Sequence, residues 1–186
     1  MPAHDRLLDL LAERSARRGH FTLASGRQST LYIDARLTTM SPDGLALIGP
    51  LALHALRDAP WDVSAIGGLT LGADPVSYAI AYASALDGPA LRAFTVRKEA
   101  KAHGTGRVIE GPFREGDRVA VIEDVITTGG SAIRATDAIR AAGGVVAGVL
   151  ALVDREEGGR EALESAGLSV ITLALASDIV ARLPID

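Results

Sequence analysis

Val121-Ile122-Glu123-Asp124-Val125-Ile126-Thr127-Thr128-Gly129-Gly130-Ser131-Ala132 is the stretch on which the reading of the chain turns. Its apolar, β-branched start reads as a strand that delivers two adjacent carboxylates, Glu123 and Asp124. A short loop of hydroxyls and glycines follows, and then a helix begins. Acids therefore stand where a strand ends, and backbone N–H groups where a helix starts. The acids can accept hydrogen bonds from neighbouring sugar hydroxyls. Thr127, Thr128, Gly129, Gly130 and Ser131 can close around a phosphate with main-chain and hydroxyl donors. Together these groups suit a ribose 5-phosphate. In an ordinary strand–turn–helix with solvated acids, two acids, two threonines, two glycines and a serine would all be incidental.

Outward from this string the pattern is regular. A central strand over 119–125 leads into a helix over 131–142, with Ala132, Ala135, Ile139 and Ala142 on one face. Upstream, 63–69 reads as an apolar strand ending in Gly67-Gly68, 73–85 as a helix entered through Asp74-Pro75, and 91–96 as a strand. Downstream come a buried strand over 145–153 ending at Asp154-Arg155, a short helix over 160–165, a strand over 168–175 and a helical turn over 177–183. Continuous Val/Ile/Leu runs alternating with helices predict an α/β fold, a central, mainly parallel sheet flanked by helices on both faces. Ligands of such sheets sit at the carboxyl ends of the strands. Segments 67–74, 97–107, 123–131 and 154–155 all fall at such ends, which points to one shared site.

The N-terminal third is organised differently. A helix over 4–18 carries Leu7, Leu8, Leu10 and Leu11 and is stopped by Gly19. Strands over 21–24 and 31–35 flank the turn Ser25-Gly26-Arg27-Gln28-Ser29, and a helix over 42–59 opens with Ser41 as N-cap and Pro42 at its first position. This third is expected to form a small hood over the sheet. The expected organisation is a single domain over 1–186, with 1–60 contributing the hood and first helices and 61–186 the core.

Composition narrows the function classes. The 186 residues suffice for one domain with a genuine core, and 48% hydrophobic with 23% charged residues is the balance of a globular protein. A formal net charge of -4 argues against a general nucleic-acid binder. The absence of cysteine excludes disulfides, thiolate metal sites and a cysteine nucleophile, and fits a reducing cytoplasm. Residues 1–18 alternate charges with leucines, unlike a signal peptide, and no aliphatic run is long enough to span a bilayer. A soluble, cytoplasmic protein without nucleic-acid or membrane partners is expected. There is no Gly-Lys pair for a triphosphate loop, and no GxGxxG, HExxH or GxSxG motif.

Two further features carry chemistry. Arg97, Lys98, Lys101, His103 and Arg107 crowd a glycine-containing segment, a composition that suits a highly anionic ligand, although a solvated surface loop can look the same. Closing such a loop excludes water and brings charge to the reacting atoms. Arg155 ends a buried strand, and its planar guanidinium can pair with a carboxylate or adjacent carbonyl. Alone it would read as a surface arginine; its shared edge with Glu123–Ser131 raises it.

The string 121–132 resembles the phosphoribosyl pyrophosphate signature of type I phosphoribosyltransferases. Phe21-Thr22-Leu23-Ala24-Ser25-Gly26-Arg27-Gln28-Ser29, Arg97-Lys98-Glu99-Ala100-Lys101-Ala102-His103-Gly104 and Asp154-Arg155 resemble the orotate phosphoribosyltransferases, in the same order. The resemblance spans 21–155. It implies transfer of the phosphoribosyl group of phosphoribosyl pyrophosphate to orotate, giving orotidine 5'-monophosphate and pyrophosphate in pyrimidine (UMP) biosynthesis. It implies that Arg97, Lys98, Lys101, His103, Glu123, Asp124, Val125, Ile126, Thr127, Thr128, Gly129, Gly130 and Ser131 bind phosphoribosyl pyrophosphate, and that Thr127 and Arg155 contact orotate. Catalysis would fall to Lys101, Lys98, Arg97, His103 and Asp124. Mg2+ is the implied cofactor, with no direct protein ligand and Asp74 able to hold a metal-bound water. A homodimer is implied, because part of the lid of these enzymes reaches into the neighbouring site. The chain departs from the pattern at Ala24 and at Thr70-Leu71, where many relatives carry lysines. A purine-specific phosphoribosyltransferase and a non-enzymatic regulator that senses phosphoribosyl pyrophosphate are the alternative readings.

Overall fold

A computed structural model describes residues 1–22, 28–99 and 108–184. Helix α1 (Ala3–Leu10) buries Leu7, Leu8 and Leu10 and runs into a π-helical turn, Leu11–Ser15. The helix expected over 4–18 ends there. Ala16–Thr22 instead forms strand β1, paired antiparallel with β2 (Gln28–Ile33) in a register from Ala16↔Ile33 to Thr22↔Gln28. Gly19 thus lies inside a strand rather than stopping a helix. A ladder to a partner outweighs the weak local preference of Arg17, Arg18 and His20. Across the ladder, the rings of Phe21 and Tyr32 stand 5.4 Å apart.

Strand β2 ends at Ile33, two residues short of the strand expected to 35, and the chain then turns through the short helix α2 (Arg36–Thr39). Helix α3 (Pro42–Asp58) starts as its sequence indicates: Ser41 Oγ accepts from the Gly44 N–H at 3.2 Å and Pro42 occupies the first turn. Strand β3 (Ala65–Leu69), helix α4 (Ala73–Leu86), and strands β4 (Arg92–Val96), β5 (Ile109–Glu110) and β6 (Arg118–Ile126) follow. Helix α5 (Gly130–Ala141), strand β7 (Val145–Asp154), helix α6 (Gly159–Ser165), strand β8 (Val170–Leu175) and helix α7 (Ala176–Val180) complete the order.

Among the described residues, the main sheet has the order β5-β4-β3-β6-β7-β8. Its strands are parallel except β5, a two-residue edge strand antiparallel to β4 that no sequence pattern announced. Both faces are covered, as the apolar runs require. Ile66, Ala120, Ile122, Leu150 and Leu152 pack under α1, α3, α4 and α7. Val119, Val121, Val149 and Ala151 pack under α5 and α6. At the amino-terminal end of β6, buried Asp117 accepts hydrogen bonds from Arg92 (3.0 Å), the Arg114 N–H (2.8 Å) and Ser64 (3.2 Å), joining three segments. No helix among the described residues is long and apolar enough to cross a membrane.

Strands β3 and β6 are neighbours, yet the chain leaves β3 toward β4 and leaves β6 toward β7. The two outgoing connections diverge and open a crevice at the carboxyl ends of these strands.

Candidate active site

That crevice is a cleft of about 300 Å³ whose walls come from five parts of the chain. Glu123, Asp124, Val125, Thr127 and Ser131 come from β6, the loop after it and the start of α5; Leu69 ends β3 and Thr70–Gly72 follow it; Tyr32–Arg36 run from the end of β2 into α2; Lys98 follows β4, and Arg155 follows β7. Volume alone would not select it. A larger groove of about 830 Å³ runs between α3 and α4, but its walls are almost wholly apolar.

Glu123 is buried and Asp124 half-buried at the end of β6. Burial, reinforced by the neighbouring charge of Asp124, pushes the Glu123 carboxyl up to about 9. One oxygen of Asp124 accepts from the Val125 N–H at 2.9 Å. Without ligand the pair therefore keeps a proton near neutrality, and it can donate to or accept from a sugar hydroxyl. Gly72 makes room for it: a Cβ at that position would strike the Asp124 carboxylate.

The loop after β6 enters α5 through Gly129, whose φ of 78° is the left-handed conformation that glycine adopts without strain. No side chain caps α5 among the described residues. Its first N–H groups are thus left for an anion, and the hydroxyls of Thr127 and Ser131 line the cleft beside them. Thr128 and Gly130 are exposed, and Gly129 is buried against α6. Ile126 faces the core, 1% exposed, and its carbonyl accepts from the Arg155 N–H at 3.0 Å; its side chain does not reach the cleft.

Arg155 is buried, yet lines the cleft. One terminal nitrogen, Nη2, donates to Glu157 Oε1 (2.7 Å), the Leu31 carbonyl (3.0 Å) and Ser29 Oγ (3.2 Å), tying the hairpin to the end of β7. Its Nε is buried without a hydrogen-bond partner among the described residues.

The expected cationic set separates. Lys98 reaches the cleft. Arg97 does not line it: its N–H continues the ladder to the Val108 carbonyl at 2.8 Å, and its guanidinium stands 3.7 Å from Glu110 on β5. Of these two neighbouring cations, which follow the end of β4, Lys98 lines the cleft and Arg97 faces β5. Lys101, His103 and Arg107 lie outside the described residues, as do Ala24, Ser25, Gly26 and Arg27, where a strand end and a turn are expected. Asp74 is not brought into the cleft either. Its two oxygens accept from Thr70 Oγ1 (2.7 Å) and Thr95 Oγ1 (2.8 Å), and it borders the apolar groove instead. Accepting from two hydroxyls, it braces the Thr70 loop.

Sequence reading missed Tyr32, Asp34 and Arg36. Arg36 grips both oxygens of Asp34 (2.7 and 2.9 Å), and that hydrogen bonding holds the Asp34 carboxyl below its ordinary range. Nothing local marks these residues; the fold of the hairpin over the sheet brings them to the rim.

No model of a known protein family matches the chain. The orotate phosphoribosyltransferase of Aquifex aeolicus is 44% identical over 183 residues, covering 97% of this chain and 99% of that protein. The Nostoc enzyme of the same name is 45% identical over 178 residues, covering 95% and 85%. The solved structure of Mycobacterium tuberculosis orotate phosphoribosyltransferase in complex with phosphoribosyl pyrophosphate superposes with a TM-score of 0.82 at 41% identity, over 96% of this chain and 99% of that one. With such identity over nearly its whole length, and with the central parallel sheet of a type I phosphoribosyltransferase, the chain belongs to the orotate phosphoribosyltransferase family, pentosyltransferases of pyrimidine biosynthesis.

Proposed function

We propose that the cleft at the ends of β3 and β6 is where the chain carries out the reaction of its family, moving the phosphoribosyl group of phosphoribosyl pyrophosphate to orotate. The observation that carries this is the placement of Glu123, Asp124, Thr127, Ser131, Lys98 and Arg155 around one cavity. The 5-phosphate would sit on the loop from Thr127 to Ser131 and the first N–H groups of α5. Glu123 and Asp124 would hold the two ribose hydroxyls. Arg155 and Thr127 would meet orotate.

As the bond from ribose C1 to the pyrophosphate oxygen breaks, positive charge grows on the sugar and negative charge on the leaving group. The deprotonated ring nitrogen of orotate then bonds to C1. The negative charge of the acid pair beside the ribose would favour the first, and Lys98 with the lid cations Lys101 and His103 would favour the second. Alignment of the two substrates in one cleft supplies much of the remaining acceleration. Magnesium fits this site. The described lining residues offer carboxylate, hydroxyl and backbone oxygens without imidazole or thiolate, the hard donor environment this cation takes. When bound it would neutralise pyrophosphate oxygens, carried by the substrate more than by the protein.

The same reading extends to the whole protein: one domain over 1–186, working in the cytoplasm as a homodimer. The apolar groove supports the dimer, because Tyr78, Tyr82, Leu86 and Leu71 are all more than half exposed along it. Incubating the protein with orotate, phosphoribosyl pyrophosphate and magnesium should lower the orotate absorbance. Turnover of a purine base instead, or sugar-phosphate binding without orotidylate, would overturn the assignment. Lys101→Ala should lower kcat roughly a hundredfold while affecting substrate affinity far less; an unchanged kcat would remove Lys101 from the chemistry.

A further inference from the structure

We propose that Glu157 is the positioning residue for base recognition, holding the Arg155 guanidinium so that its remaining donors meet the planar anionic base. This rests on the reading above that Arg155 contacts orotate. A guanidinium this deeply buried needs acceptors, and most of those near Arg155 are neutral oxygens of the hairpin. Glu157 is its charged partner and its shortest contact, at 2.7 Å, with the arginine side chain 4% and the glutamate side chain 18% exposed. All three contacts fall on Nη2, while Nε is buried with no acceptor among the described residues. A carboxylate or ring carbonyl of the ligand is the acceptor that this arrangement lacks.

The turn that returns Glu157 to Arg155 is held by other bonds. Glu156 adopts a φ of 57°, in the left-handed region, and its N–H donates to Asp154 Oδ1 at 2.8 Å. Its carboxylate accepts from the Ser177 N–H at 2.7 Å. The other oxygen of Asp154 accepts from Arg160 at 2.9 Å, and Arg160 also donates to the Val170 carbonyl (3.2 Å) and Thr172 (2.8 Å). These contacts fix the backbone from both sides. Removing the Glu157 side chain should therefore release the guanidinium without dissolving the turn.

The test is steady-state kinetics of Glu157→Ala, Glu157→Gln, Arg155→Lys and the Arg155→Lys/Glu157→Ala double variant, with thermal melting of each. Glu157→Ala should raise the orotate KM about tenfold, the size expected from losing a charge-assisted hydrogen bond, with the phosphoribosyl pyrophosphate KM and melting temperature near wild type. Glu157→Gln, which keeps an acceptor, should fall between. The double variant should be no worse than Arg155→Lys, since the two residues act as one unit. An unchanged orotate KM in Glu157→Ala beside a raised one in Arg155→Lys would overturn the role of Glu157 and leave that of Arg155 standing. An unchanged orotate KM in Arg155→Lys would remove the arginine from the base pocket, and this proposal with it. Equal rises in both substrate KM values, or additive effects in the double variant, would mean a merely structural contact. Should the alanine variant not fold, a rise confined to orotate in Glu157→Gln supports the proposal and no rise overturns it.

Discussion

Glu123 couples the cleft to pH. Because its folded-state carboxyl is raised to about 9, the folded protein keeps a proton that the unfolded chain releases in the ordinary glutamate range. The folded state binds more protons across that window, so stability contributed by this group is complete below it and is lost as pH rises toward 9. Thermal melts of the ligand-free protein should show the melting temperature falling over this interval, and Glu123→Gln should flatten the slope. An identical pH profile in the variant would mean that Glu123 is already ionised. Gly72→Ala tests the neighbouring acid, since its methyl group would displace the Asp124 carboxylate. A loss on the order of a hundredfold in kcat/KM, with the fold retained by circular dichroism, is expected. At this scale much was legible: Glu123, Asp124, Thr127, Ser131, Lys98 and Arg155 could be named from strand-end position and chemistry. Arg36 and Tyr32 could not, because residues well removed in sequence reach the cleft only when the hairpin closes.

Among the elements, long apolar strands were the easiest to read. The run expected over 119–125 became Arg118–Ile126, and that over 145–153 became Val145–Asp154. Burial on both faces writes itself into continuous Val/Ile/Leu stretches. Strand β1 and the two-residue β5 were illegible for the opposite reason: their hydrogen bonds go to partners that local sequence does not name. The same long-range logic governs Asp117, which gathers Arg92, Arg114 and Ser64 where β4 and β6 begin. Burial raises its carboxyl, but the hydrogen bond from Arg92 and that from the Arg114 N–H outweigh the effect and leave it lowered. Asp117→Ala should destabilise the protein by about 3 kcal/mol in urea denaturation, because it strands a partly buried guanidinium. The kcat should survive, since this cluster sits at the opposite end of the strands from the cleft.

For the molecule as a whole, the groove between α3 and α4 is a broad apolar surface that the cleft does not use, and a second copy of the chain is its proposed occupant. Introducing charge there, as Tyr82→Arg or Leu86→Glu, should shift the protein to monomer in sedimentation velocity. Retention of the wild-type species would exclude this face from the dimer. The groove could not be read from local patterning. Tyr78, Tyr82 and Leu86 follow helical spacing that would serve equally for an internal core, and only the finished fold leaves them outside.

Leu71 borders both the groove and the cleft. A protein covering the groove would also press on the rim beside the acids, so association and catalysis share a wall. Specific activity should then decline on dilution into the range where the protomers separate, and recover when the sample is concentrated again.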